Sequence, residues 1–164
     1  MGERGVRRSI LLLVSSMSAG GRSVRLGPRI VRILRGGGWE VAVRLTTPGD
    51  DPAALAAQVA SDSIVAALGG DGYLGAVARG CHDSGALFVP FPGGRGNDLC
   101  RALGIGTDPL ARARDVASLG FVSGTAGDEA VAGRARRATD AFASRVRPLD
   151  GMWVRSRDGV RLAL

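Results

Sequence analysis

Four predominantly apolar runs, each followed by a turn and then a helix-patterned segment, restrict this chain more than any other feature. They are "SILLLVSS" (9–16), "EVAVRL" (40–45), "SIVAAL" (63–68) and "ALFVPF" (86–91). A strand that is apolar without alternation is covered on both faces, as in a parallel sheet flanked by helices. After the first run, Val24, Leu26, Ile30, Val31, Ile33 and Leu34 fit a helical stripe, with Pro28 either near its start or kinking it, and "GGGW" ends it. "PAALAAQVAS" (52–61) reads as a helix opened by a proline and capped by the preceding aspartate. Further helices are predicted through about Arg79 and over 98–103. Strand and helix in strict alternation predict an α/β fold, a doubly wound (Rossmann-like) parallel sheet with right-handed crossovers. Such connections collect the strand carboxyl ends on one edge, where ligands bind.

A length of 164 residues suits one domain with its own core, and with only 4 % aromatics that core must be aliphatic. The formal charge of +7 comes from arginine alone, without a lysine. Such a surface attracts phosphate-rich partners, nucleotides or anionic head groups among them, although coding composition also produces an arginine bias. No basic run carries interleaved aromatics, so nucleic acid is not an expected partner. Cys81 and Cys100 lack the spacing of a zinc site or a disulfide framework and suit a reducing, cytoplasmic setting. The apolar stretch Ile10–Val14 is shorter than the roughly 7–15 residues of a secretory segment and reads as a strand. No run approaches the roughly 18 apolar residues of a membrane span.

Beyond Gly106 the texture changes. Residues 109–119 read as one more helix, and 125–146 as a glycine-interrupted linker or weak helix. Two alternating runs flank Asp158-Gly159, the mark of a hairpin. The expected division is an α/β domain over 1–124, a linker or helix over 125–144, and over 145–164 the first hairpin of a β-rich domain that continues beyond the sequence.

Chemistry concentrates in two glycine turns. In "GGDGYLGAV", Gly69, Gly70 and Gly72 let the backbone adopt positive φ and approach a ligand, their N–H groups forming an anion nest at a helix start. Asp71 does not fit a bare phosphate cradle, because a carboxylate repels phosphate. It suits a residue that holds Mg²⁺ against phosphate oxygens or takes a proton from an attacking hydroxyl, and equally a helix-capping aspartate in a tight turn. The second turn, "PFPGGRGNDLCRALGI", sets Gly93, Gly94 and Gly96 around Arg95, ahead of Asn97 and Asp98. Backbone donors with a guanidinium suit a di- or triphosphate, and the Asn97 amide suits a ribose or phosphate oxygen. Asp98 reads as the cap of the next helix or as a ligand or base near the acceptor.

The pair GGDG and PGGxGND, followed by "LCRALGI", resembles the catalytic domain of the diacylglycerol kinases, lipid kinases related to NAD kinases and phosphofructokinases. The resemblance spans roughly 8–108, and "VRPLDGMWVRSRDG" resembles the family's passage into its β-sandwich domain. It implies a magnesium-dependent transferase that moves the γ-phosphate of ATP to a lipid hydroxyl, working in the cytoplasm or peripherally on the inner membrane surface. It implies that Gly69, Gly70, Asp71 and Gly72 form the signature nucleotide loop, with Asp71 catalytic and linked to Mg²⁺ through phosphate. Gly93, Gly94, Arg95, Gly96 and Asn97 would form the second nucleotide-facing loop. Thr46 would stand near the phosphates, Gly20 and Gly21 would lie in the turn replacing the family's first loop, and Asp98 would lie near the acceptor hydroxyl.

The chain departs from the family pattern at Ser15-Ser16 for Asn-Pro, Tyr73 for Thr, Gly75-Ala76 for Asn-Glu, and Arg95 for a small residue. Lost polar groups on the phosphate side leave two alternatives open: a catalytically impaired or incomplete nucleotide-binding module of the same fold, and an NAD kinase-like enzyme sharing only GGDG. His82 reads as a surface or capping residue, and Trp39 and Trp153 as packing residues. Arg134, Arg136 and Arg137 read as a solvated face, with a membrane-surface role as the alternative.

Overall fold

The structure, a computed structural model, describes residues 6–119, 121–122, 152–156 and 159–163. In chain order these form β1 (Val6–Arg7), β2 (Ser9–Ser15), a 3-10 turn (Ser18–Gly20), α1 (Arg22–Gly36), β3 (Glu40–Thr46), α2 (Pro52–Ala57) and β4 (Ile64–Gly69). There follow α3 (Asp71–Ser84), β5 (Leu87–Pro92), α4 (Asp98–Ala102), α5 (Pro109–Ala117), β6 (Phe121–Val122), β7 (Met152–Ser156) and β8 (Gly159–Ala163).

The central sheet has four strands, all parallel, in the order β3-β2-β4-β5. From β2 the chain moves outward to β3, then passes back over β2 to reach β4 and β5. That reversal places a topological switch point between β2 and β4, and a crevice opens at the carboxyl ends of strands so arranged. In register there, Ser15 lies beside Thr46, Val14 beside Leu68, and Gly69 beside Pro92.

Successive residues of a strand face opposite sides. Ile10, Leu12 and Val14 of β2, with Ala66 and Leu68 of β4, pack with Ile30 and Leu34 of α1 and with Ala113 and Val116 of α5. Leu13, Val65 and Ala67 face the other way and pack with Ala56 of α2, Leu74 and Val77 of α3 and Cys100 of α4. Helices on both faces are why β2, β4 and β5 carry no polar alternation, whereas the edge strand β3 keeps Glu40 and Arg44 exposed, and the sheet is doubly wound as the sequence predicts. Close packing relies on a glycine at one crossing: a Cβ on Gly80 of α3 would collide with the Ala53 carbonyl of α2. Trp39, 2 % exposed, ties the start of β3 to α5 by donating from Nε1 to the Val116 carbonyl (2.9 Å).

Several boundaries differ from the sequence reading. Of the two placements open to Pro28, the structure has it inside α1 and not at its start, on an exposed position. Helix α3 continues to Ser84, so His82 is in its last turn and not beyond it. Strands β1 and β6 form a short antiparallel pair that no pattern announced. In the hairpin β7–β8, Gly159 pairs with Ser156 and so belongs to the second strand. Residues 125–144, including Arg134, Arg136 and Arg137, lie outside the described residues. Both cysteines are free and buried, and burial pushes the thiol of Cys81 up to about 12 and that of Cys100 up to about 11.

Candidate functional site

Three turns meet at the switch-point edge. The first leaves β2 and enters α1 through consecutive left-handed residues, Ala19 (φ 44°), Gly20 (φ 66°) and Gly21 (φ 81°). Glycine makes that path accessible at little cost. Helix α1 then begins at Gly21 with no side-chain cap and no acidic residue in its first turn. Its opening amides and the Arg22 guanidinium make a positive end. Nearby are two orphaned hydroxyls: Ser23 Oγ, in a residue with no exposure, and Ser16 Oγ have no hydrogen-bond partner.

The second turn leaves β4. Gly70 is extended at the start of α3, and its N–H donates to Ser18 Oγ (3.1 Å). The third leaves β5. The Gly93 N–H donates to the Gly69 carbonyl (2.8 Å), and Arg22 Nη1 donates to the Gly94 carbonyl (3.3 Å). A Cβ on Gly93 would collide with Ser23 Oγ, and one on Gly94 would lie 2.7 Å from Gly70 Cα. The two signature turns therefore touch backbone to backbone. Here the structure corrects the reason for the glycines: Gly69, Gly70, Gly72, Gly93, Gly94 and Gly96 are not among the positive-φ glycines. For Gly69, Gly93 and Gly94 the requirement is space, whereas Gly72 has no neighbour within 4 Å of a Cβ position.

Asn97, 4 % exposed, adopts a left-handed conformation (φ 56°) at the N-cap of α4. Its Oδ1 accepts the Gly94 N–H (3.0 Å) and its Nδ2 donates to the Gly94 carbonyl (3.3 Å), so its amide shapes the turn. Arg95 and Gly96 are exposed. Asp98 is the first residue of α4 and not its cap.

The cap comes from elsewhere. Asp71 Oδ1 accepts the Leu99 N–H (3.0 Å), so the carboxylate at the head of α3 serves the start of α4 and clamps the two turns. A Cβ on Gly96 would lie 3.1 Å from Asp71 Oδ2 and 3.3 Å from Asp98 Oδ2. Asp98 Oδ1 is held by Arg101 Nη1 (3.0 Å), which also donates to the Gly96 carbonyl. Each carboxylate thus commits one oxygen to the protein and turns the other toward Gly96. Among the described residues no group of three or more His, Cys, Asp or Glu could hold a metal. Two carboxylates suit Mg²⁺ only where phosphate oxygens and water complete its octahedron.

Thr46, 3 % exposed, is less available than its sequence position implies. Its hydroxyl meets the Val14 carbonyl (3.2 Å) and the Tyr73 hydroxyl (3.1 Å). A carbonyl only accepts, so Thr46 donates to Val14 and Tyr73 donates to Thr46. The Tyr73 ring lies against Gly69, where a Cβ would sit 2.5 Å from Cδ1. Burial raises the phenol's pKa.

The edge therefore gathers Gly20, Gly21, Gly69, Gly70, Asp71, Gly93, Gly94 and Asn97, with Arg22 bridging two turns. Sequence reading passed over the side chains of Ser18, Arg22 and Ser23. Their signal was the hydroxyls and arginine spaced through "SSMSAGGRS". Two hollows, of about 600 Å³ and about 980 Å³, lie elsewhere and are lined by none of the glycine-turn residues.

An open parallel sheet with an uncapped helix start, two orphaned hydroxyls and two glycine turns in backbone contact at its switch point defines a doubly wound α/β protein. Residues 9–127, well over half of the chain, match the family described as Diacylglycerol kinase catalytic domain, and the chain belongs to that family of kinases. No curated protein matches the chain. Among the described residues no helix is long and apolar enough to cross a membrane.

Proposed function

We propose that this chain is the nucleotide domain of a lipid kinase that transfers the γ-phosphate of ATP to a lipid hydroxyl, with Mg²⁺ as the companion ion. The observation that carries the reading is the backbone contact between the GGDG and PGGRGND turns, with Asp71 clamped between them. Phosphates fit the residues present: the α1 amides and Arg22 supply positive potential, and the Ser16 and Ser23 hydroxyls are without partners. The ion fits as a phosphate-bound guest of Asp71 and Asp98, whose Oδ2 atoms both lie close to the Cβ position of Gly96. When bound, it would neutralise charge on the transferring phosphoryl group.

The chain's own residues orient and hold. The α1 and α3 starts fix the phosphate tail, Arg95 on the rim balances charge, and Asp71 Oδ2 accepts the proton of the acceptor hydroxyl or anchors the ion. Asp98 stands beside the acceptor. Division into an α/β domain over 1–124, a linker over 125–144 and a β-rich unit from 145 belongs to the same proposal, the β-rich unit completing the lipid side. The test is Asp71→Asn, assayed by calorimetry with ATP and Mg²⁺ beside labelled-phosphate transfer to diacylglycerol micelles. Transfer is lost while nucleotide affinity is largely kept; unchanged turnover removes Asp71 from the chemistry.

One observation favours a second reading, a nucleotide-binding module without turnover. Tyr73 stands where the resembling family has threonine, and its hydroxyl and that of Thr46 are committed to each other. Binding of ATP without transfer to diacylglycerol or NAD selects this reading.

A further inference from the structure

We propose that α1 and the adjoining edge of the sheet form a docking surface for a bilayer bearing anionic head groups, a deepening that rests on the lipid-acceptor reading above. Helix α1 is two-faced beyond what its core contacts require. At 3.6 residues per turn, Ser23, Gly27, Ile30 and Leu34 form one buried stripe, and Arg25, Arg29, Arg32 and Arg35 lie around the exposed side. With Arg22 the helix carries five arginines and no carboxylate. Among the described residues none of the five makes an ion pair; the hydrogen bonds donated by Arg22, Arg25 and Arg35 go to backbone carbonyls. Free guanidinium charge on one helix side is the complement of a sheet of phosphates.

Between the arginines and the buried stripe lies an apolar flank, Val24, Pro28 and Val31. It faces the half of β3 that none of the described elements covers, and together they wall a groove of about 600 Å³. Val43 and Leu45 there are 50 % and 49 % exposed, Val24 is 40 % exposed, and Met17 in the preceding turn is 70 % exposed. Val41, on the same side of β3, is covered, so the exposure is confined to the carboxyl half of this edge strand. A second copy of the chain is a poorer occupant, because two-fold pairing across this face sets arginine helix against arginine helix. A bilayer instead receives the aliphatic side chains at its interface while the arginine stems snorkel to its phosphates. Leu45 adjoins Thr46 and Met17 adjoins Ser18, so docking brings the switch-point edge to the level of the head groups.

The experiment is co-sedimentation of the full chain with vesicles of phosphatidylcholine alone or mixed with phosphatidylglycerol. Wild type, Arg29→Glu/Arg32→Glu and Val43→Ser/Leu45→Ser are compared, each checked for folding by thermal unfolding. All four positions are exposed, so neither double substitution touches the buried core. Binding is expected to require phosphatidylglycerol, to weaken as salt rises, and to fall at least tenfold in each double variant. Equal sedimentation with neutral vesicles, or a charge-reversed variant that binds as wild type does, overturns the proposal. So does a concentration-dependent dimer of wild type that Val43→Ser/Leu45→Ser abolishes, since a second copy then covers the face. Transfer to a soluble short-chain diacylglycerol, measured in parallel, separates the two readings: its absence in wild type counts against the reaction, while sedimentation still decides the docking.

Discussion

Replacing Gly94 by alanine tests whether the two signature turns work as one mechanical unit. The new Cβ would sit 2.7 Å from Gly70 Cα, whereas carbon atoms rest at about 3.5–4.0 Å. The turns must then separate by about 1 Å. Neither atom belongs to a flexible side chain, and both turns are tethered, Gly70 by its N–H to Ser18 Oγ and Gly94 by its N–H to Asn97 Oδ1. Overpacking of this kind costs about 1–3 kcal/mol. For a chain of this length that lowers Tm by about 3–10 °C. A misplacement of about 1 Å at reacting groups costs about 100-fold in rate, about 2.7 kcal/mol of transition-state stabilisation.

Thermal unfolding by circular dichroism, ATP calorimetry and transfer to diacylglycerol read the three consequences. Gly72→Ala is the matched control, because nothing lies within 4 Å of its Cβ position and it stands in the first turn of α3. Its Tm is expected to hold or rise, through a helix-propensity gain of about 0.5–1 kcal/mol. If phosphates close on the α3 amides, this variant loses nucleotide affinity despite an intact fold. A Gly94→Ala protein with wild-type Tm and wild-type ATP binding would refute the mechanical coupling.

Gly80→Ala brings a Cβ onto the Ala53 carbonyl and presses Ala56, and is expected to lower Tm more than Gly94→Ala does, by thermal unfolding. Gly75→Ala, with open space at its Cβ in the interior of α3, is expected to raise Tm by about 2–5 °C. Trp39→Phe removes the donor to Val116, whose carbonyl keeps the Leu119 N–H, so denaturant unfolding should show a loss of about 1–2 kcal/mol. The folded thiols of Cys81 and Cys100 titrate above their usual value of 9.0, so the stability they contribute is complete below pH 9 and is lost as pH rises through about 11 to 12. Double Cys→Ala removes that alkaline slope, and in the native wild type iodoacetamide labels neither thiol at neutral pH. Asp108 has its pKa lowered by the Leu110 and Ala111 N–H bonds, so its stabilisation is present above the ordinary Asp value and lost as pH falls through the lowered one. Asp108→Asn, still a capping residue, keeps neutral-pH stability and flattens the acid side of the Tm profile.

The sheet was legible because burial on both faces writes itself into composition: a strand such as β4, "IVAALG", has no polar position to confuse with a loop. The alternation of strand and helix then left one topology class. What escaped were features set by partners distant in sequence. Gly80 reads as an indifferent helix glycine until Ala53 is placed against it, and the β1–β6 pair spans the whole described domain with only two residues on each side. At the site, the glycines were legible as turns, but their reason was not. Positive φ is a local property and was expected of them; close approach of Gly94 to Gly70 is a tertiary one and is what the structure has. The internal bonds of Asn97 and Thr46 escaped for the same cause, since a polar side chain in a turn shows no partner until the residues distant in sequence are placed beside it.

Asp71 shows how the fold and the chemistry constrain one another. A carboxylate at the head of α3 has a natural place at its own helix start, yet its Oδ1 accepts from Leu99 in α4. Parallel pairing of β4 and β5 sets Gly69 beside Pro92, so the two turns leave the sheet side by side. Glycines at 69, 93 and 94 then let the following backbones touch, which brings the start of α4 within reach of one carboxylate oxygen and leaves the other facing Gly96 and Asp98. A longer side chain such as glutamate would reach Leu99 only by displacing that second oxygen, and asparagine would keep the cap through its carbonyl while placing an amide beside Asp98. Fold stability should therefore survive Asp71→Asn and suffer in Asp71→Ala, which removes the acceptor of the Leu99 N–H at a cost of about 1 kcal/mol. Loss of transfer in both variants, with loss of Tm in the alanine variant alone, assigns Oδ1 to the clamp and Oδ2 to the chemistry. An equal fall of Tm in both variants would mean that the negative charge, and not the acceptor oxygen, holds the turns together.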